Sequence, residues 1–214
     1  MLLELKRLTV PPGQRVLLEE VSWNEFEIIL EELGEHRAAR VAYDKGTLEI
    51  MTPLPEHESG KVFIGDFVKA ILEELDIEFL SLGSTTFKNQ AMLQGIEPDD
   101  CFYIQNEAAV RGKDRLDLSI DPPPDLALEI DITSRTHSNI YEALGVPELW
   151  RFEKGELQIN ILQPDGKYAK RESSGIFPNL PLIENLPKFV RTSKAIGRNK
   201  TMKNFRQWVR DPLD

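Results

Sequence analysis

Three consecutive prolines, Pro122-Pro123-Pro124, run directly into Asp125-Leu126-Ala127-Leu128-Glu129-Ile130-Asp131-Ile132. Proline has no N–H to give to a ladder, so a strand can start only after the third one. Alternate side chains of an extended chain share a face. Leu126, Leu128, Ile130 and Ile132 therefore enter an apolar core, while Asp125, Ala127, Glu129 and Asp131 point the other way. A strand this apolar belongs inside a covered sheet. The strand rise sets Glu129 and Asp131 about 7 Å apart on one face. Burying two like charges there without compensation is costly. Either they stand at a solvated strand end beside basic neighbours, or a cation sits between them. Mg²⁺ is a compact solution, since it takes one or two carboxylates and completes its shell with water and phosphate oxygens.

The segments around this strand specify a mixed α/β or α+β architecture. Residues 14–21 read as an extended lead-in. Ser22 and Glu25 have the spacing of a capping box, followed by a helical stripe of Phe26, Ile29, Leu30 and Leu33 that Gly34 stops. Residues 38–43 and 47–52 flank Lys45-Gly46 and form a β-hairpin. A long helix covers 57–75, a strand 77–81, and a turn then a strand 95–104. Residues 140–145 form a short helix closed by Gly145. Residues 148–152, 158–162 and 167–171 form a meander with turns at Lys154-Gly155 and 164–167. We expect one domain spanning 1–214, with a basic helical segment at 188–210.

Charge is unevenly placed along the 214 residues. The formal total is −10, yet residues 188–210 carry eight basic residues and no acidic one, leaving a body near −18. Met202, Phe205 and Val209 lie on one helical face of this segment. It reads as an amphipathic helix docked on the acidic body, or as a phosphate-contacting element through Arg198, Lys200, Lys203 and Arg206. The overall acidity speaks against coating nucleic acid by charge alone. A single cysteine, Cys101, excludes an intramolecular disulfide and Cys-based zinc sites, and three scattered histidines lack zinc-type spacing. No apolar run approaches the roughly 18 residues of a membrane span, and Glu4 interrupts any leader-like core. A cytoplasmic location without membrane contact is the expectation.

A second acidic group, Glu97-Pro98-Asp99-Asp100, stands at a strand entrance, and Glu49 lies in the middle of the hairpin's second strand. Taken with LEIMTPLPEHE (48–58), GIEPDDCFYI (95–104), PPPDLALEIDITSRT (122–136) and YEALGVPELWRF (141–152), these segments resemble the bacterial "putative restriction endonuclease" family of the PD-(D/E)XK nuclease superfamily. The resemblance runs from about residue 20 to the end of the chain. It implies a central mixed sheet flanked by helices, with the N-terminal hairpin and C-terminal helices around it. The superfamily's "PD" matches Pro98-Asp99 and its strand acid matches Glu129. Pro124-Asp125 is a rival, but it lies on the same strand as Glu129, whereas the superfamily brings its first acid from another strand. Asp99 and Glu129 would then hold Mg²⁺ or Mn²⁺. Asp131 stands where the superfamily has lysine. It cannot stabilise developing negative charge as a lysine would, but it is a candidate third metal ligand. Relatives often carry a lysine four residues before the motif tyrosine. That position is His137 here, and His137 or Arg135 is the candidate donor. Glu49 matches a common family glutamate, and His57 falls at a helix N-terminus suited to an anion.

The leading expectation is a Mg²⁺-dependent endonuclease acting on DNA, with the basic tail contacting phosphates and a homodimer completing the assembly. The alternative is a non-catalytic nuclease-fold module that binds DNA or a protein partner. The missing lysine and the acidic body favour that alternative.

Overall fold

The computed structural model describes residues 8–34, 39–130 and 137–211, with backbone only for 55–60. The chain builds two sheets with a short helix between them. In the first part, β1 (Arg15–Leu18) leads to α1 (Trp23–Leu33), and the hairpin follows as β2 (Arg40–Asp44) and β3 (Thr47–Met51). Then come α2 (Pro55–Glu74), β4 (Leu80–Ser81), β5 (Phe87–Asn89) and β6 (Gln94–Ile96). The second part holds β7 (Asp100–Tyr103), α3 (Glu107–Val110), β8 (Leu126–Glu129) and α4 (Ser138–Leu144). The meander β9 (Glu148–Glu153), β10 (Glu156–Leu162) and β11 (Tyr168–Arg171) precedes α5 (Leu182–Ile196) and α6 (Arg198–Arg210).

One sheet has the order β1-β3-β2-β6-β5 and is antiparallel throughout. The other has the order β11-β10-β9-β8-β7-β4 and is mixed, with β8 and β9 parallel. The expected hairpin is therefore not an appendage. Its edges find partners in β1 and β6, so it becomes the middle of a second sheet. The expected strand 77–81 shortens to Leu80–Ser81. Asp76 takes a positive φ just after α2, and Ile77 donates its N–H back to Leu72. Ile77 and Phe79 then pack on the core without joining the sheet.

The layers follow from the alternation of side chains. Val41, Tyr43, Leu48 and Ile50 face α1, where Phe26 stacks on Tyr43 at 4.5 Å. The capping box forms as expected: Ser22 N–H donates to Glu25 and Glu25 N–H donates to the Ser22 hydroxyl. Such a cap is worth about 1 kcal/mol. Leu126, Leu128, Ile130 and Trp150 face α2, α5 and α6, the largest core. Between the two sheets, Ile140, Tyr141 and Leu144 of α4 pack against Cys101, Ala127, Leu149, Phe87 and Ile96. Gly145 ends α4 in the left-handed region, at φ 76.

Candidate active site

The chain passes from one sheet to the other at Glu97-Pro98-Asp99, between β6 and β7. Glu97 secures the crossing from the first sheet, accepting from Val41 N–H and from the Thr86 hydroxyl. Asp99 secures it from the second. Its N–H donates to Leu128 C=O at 3.1 Å, and its Oδ2 accepts the Ile130 N–H at 2.6 Å. Asp99 is thus stitched to the strand that carries Glu129, and only 3% of its surface is exposed. Arg40 of β2 reaches across, donating to Pro98 C=O at 2.9 Å with its Nη2 3.7 Å from Asp99 Oδ1.

β7 and β8 pair antiparallel with Asp100 opposite Leu128, so Asp99 lies beside Glu129 one step further on. The Tyr141 hydroxyl of α4 donates to Glu129 Oε1. Burial first, then the Glu129 charge and this hydrogen bond, and next the Asp99 charge, push that hydroxyl well above the ordinary tyrosine value. It remains a donor at any physiological pH, and it feels both carboxylates.

Glu49 approaches from the other sheet. Leu48 and Ile50 face α1, so Glu49 faces α4, and it is 6% exposed. Arg15 Nη1 donates to its Oε2 at 3.1 Å, and His137 Nε2 stands 3.5 Å from the same oxygen. Burial pushes the Glu49 carboxyl up, but His137 and then Arg15 outweigh it and hold the carboxyl below its ordinary value. His137 is the residue before α4, so one short helix carries His137 to Glu49 and Tyr141 to Glu129.

Other acids are used structurally. Asp125, the rival to Asp99, accepts from Ile104 N–H, Asn106 N–H and the Asn106 side chain, which fixes the turn after β7. Asp100 points to the opposite face, accepts from Ser81 and Cys101 N–H, and lies against α2. There a Cβ on Gly65 would come within 2.6 Å of its Oδ2, so only glycine lets helix and carboxylate approach this closely. Trp150 is 1% exposed, a core residue rather than a base-stacking platform.

In the basic tail, Arg198 bonds Asp66 while Arg206 bonds Glu73 and Glu74, all of α2. Arg210 joins them at Glu74. Met202, Phe205 and Val209 are buried beneath. This is the docked amphipathic helix, preceded by a second helix, α5. Lys200 and Lys203 are exposed.

Of the sequence-derived site residues, Asp99 and Glu129 come together, with Glu49 and His137 on the far side of α4. His57 lies in the first turn of α2, but its side chain is outside the described residues, as are Asp131 and Arg135. Among the described residues no three His, Cys, Asp or Glu side chains are grouped to hold a metal ion. Two adjoining carboxylates, oxygen donors only, still suit Mg²⁺, which needs no more than one or two from the protein. Sequence reasoning missed Arg40, Arg15 and the role of Tyr141. The signal for Arg40 lay in its own strand: with Val41 and Tyr43 in one core, Arg40 had to face the other sheet.

The fold and these residues define a mixed α/β protein with an acidic pair, Asp99 buried and Glu129 half-buried, at the junction of its two sheets. A family model, Uma2, described as "Putative restriction endonuclease", matches residues 23–192. The chain belongs to that family. No curated protein matches the chain significantly. Among solved structures, one titled as "a putative nuclease belonging to DUF820" from Anabaena variabilis is similar at a TM-score of 0.47 and 13% identity, covering 87% of this chain and 97% of that one. Among the described residues no helix is long and apolar enough to cross a membrane.

Proposed function

We propose that this protein is a divalent-metal-dependent endonuclease that hydrolyses phosphodiester bonds of DNA, using Mg²⁺ or Mn²⁺. The observation that carries the reading is the stitching of Asp99 to the Glu129 strand, which delivers two carboxylates from separate strands to one place. Asp99 and Glu129 would hold the ion, with Asp131, two residues further along the sequence, as a third ligand. Such an ion, when bound, polarises the scissile phosphate and lowers the pKa of a water molecule. The chain's own groups orient the rest. Ile130 N–H fixes Asp99 and the Tyr141 hydroxyl fixes Glu129. His137, held toward Glu49, or Arg135 would take the donor role of the superfamily's lysine. The His57 helix N-terminus supplies an anion seat. Two copies in a homodimer would present two such sites to a duplex.

The test is cleavage of plasmid and single-stranded DNA with Mg²⁺ or Mn²⁺ by the wild type, Asp99→Ala and Glu129→Ala. Equal residual activity in all three overturns the proposal. One observation favours a second reading, a non-catalytic DNA- or protein-binding module: Arg40 already brings a cation to Asp99. That reading expects binding without cleavage and no rise in melting temperature with added metal.

A further inference from the structure

The register of the mixed sheet places an arginine next to the acidic pair. β8 and β9 run parallel with Glu129 opposite Arg151, and β9 pairs with β10 so that Arg151 is opposite Gln158. Asp99, Glu129, Arg151 and Gln158 therefore form one row across the sheet, with about 4.8 Å between neighbouring strands. Paired residues share a face, and this is the face that α4 covers further along, where Ala127 and Leu149 pack against it. Because β8 and β9 are parallel, both reach their C-terminal ends here. The Lys154-Gly155 turn projects just beyond Arg151. Arg151, Glu153, Lys154 and Gln158 line a shallow cleft of about 230 Å³ together with Glu156 and Leu157. Arg151 Nη2 lies 3.7 Å from Glu153 Oε2, and its side chain is about a quarter exposed at 26%. Lys154 Nζ stands 3.3 Å from the other Glu153 oxygen.

The geometry points to Arg151 as the residue that contacts a DNA backbone phosphate beside the acidic pair, with Lys154 extending the contact and Glu153 restraining both. This assignment rests on the nuclease reading of the site. It adds a positive charge on the neighbouring strand, separate from the donor role given to His137 or Arg135. A guanidinium presents a planar fork to phosphate oxygens. It also relocates the DNA-binding surface from the C-terminal tail, where Arg198 and Arg206 are engaged with α2, to the β9–β10 end of the sheet.

The experiment measures binding of a short labelled DNA duplex by fluorescence anisotropy in EDTA, where metal-dependent hydrolysis is off, across a salt series. Arg151→Ala should weaken binding about tenfold and lower the salt slope by about one. Arg151→Lys should keep the slope and most of the affinity. Glu153→Gln should tighten binding two- to threefold, roughly, by removing a negative charge beside both cations. Arg151→Gln carries the comparison should the alanine variant melt early. Wild-type affinity and slope in both Arg151→Ala and Arg151→Gln would overturn the assignment, and so would a wild type that binds no duplex. Cleavage by the wild type that Asp99→Ala abolishes, with binding indifferent to Arg151, would retain the nuclease and discard this contact. Arg151-dependent binding without any cleavage in Mn²⁺ would do the reverse.

Discussion

Two regions of this molecule pair acids with arginines, and they do it differently. On α2, Asp66, Glu73 and Glu74 meet Arg198, Arg206 and Arg210 at the surface, above a floor of Phe67 and Phe205 in ring contact at 4.4 Å. Between the sheets, Asp99, Glu129 and Glu49 are held from several different elements: a backbone N–H and Arg40 at Asp99, a tyrosine hydroxyl at Glu129, and Arg15 with His137 at Glu49. Charge at the first region decorates a hydrophobic joint and is screened by water. Charge at the second is buried at Asp99 and Glu49 and half-buried at Glu129, at a junction where no single element could supply it. Three arginines of the basic tail that stood out in the sequence thus pair with α2 while Lys200 and Lys203 stay exposed, and the acids of the junction are the candidates for chemistry.

The comparison can be broken at several points. The largest effect is expected at the junction. Asp99→Ala or Glu129→Ala should lower metal-dependent DNA cleavage by about a thousandfold or more, while circular dichroism stays that of the wild type. Next is the floor of the other region. Phe205→Ala should cost about 3–5 kcal/mol in a chemical denaturation experiment, because the ring is fully buried among α2, α5 and α6. Tyr141→Phe keeps the ring and removes the donor to Glu129. We expect cleavage to fall about tenfold, with a stability loss of about 1–2 kcal/mol.

Smaller still is the pH response of Glu49. Its folded carboxyl lies below the ordinary 4.5, so the unfolded chain takes up the proton first as pH falls. The associated stability is full above about pH 4.5 and fades below it as pH drops through the folded value. Acid melting curves of Glu49→Gln should lose part of that slope. Last comes Arg206→Ala, expected to change stability by less than about 1 kcal/mol and to do so only at low salt. A large, salt-independent loss there would erase the contrast between the regions.

Much of this was legible in the sequence. The capping box at Ser22 and Glu25, the hairpin at Lys45-Gly46, the meander and the face of β8 that enters the core are local patterns, and local patterns decide them. Asp99 and Glu129 could be chosen over Asp125 because the family resemblance required acids from two strands, and the structure gives Asp125 to a turn. What was not legible is pairing at a distance. Nothing in residues 38–52 says that the hairpin will recruit β1 and β6, so the second sheet and the inward aim of Glu49 could not be read. Arg40 acquires meaning only once the two sheets meet and set it 3.7 Å from Asp99, and Arg151 only once register puts it opposite Glu129. A lone arginine in a strand carries no such mark.

The parallel pairing of β8 with β9 has a consequence in time. It joins residues 22 apart in the chain, Leu126 to Glu148, so Glu129, His137, Tyr141 and Arg151 all sit on a single brief stretch of chain. Contacts of short sequence separation close with the least loss of chain entropy. This unit should therefore form before the hairpin docks, and Glu49 and Arg40 should arrive afterwards. Pulse-labelled hydrogen exchange during refolding would then find the β8–β9 ladder protected ahead of the β2–β6 ladder, which joins the hairpin to its distant partner. The opposite order would mean that the hairpin sheet is the template on which the site is laid.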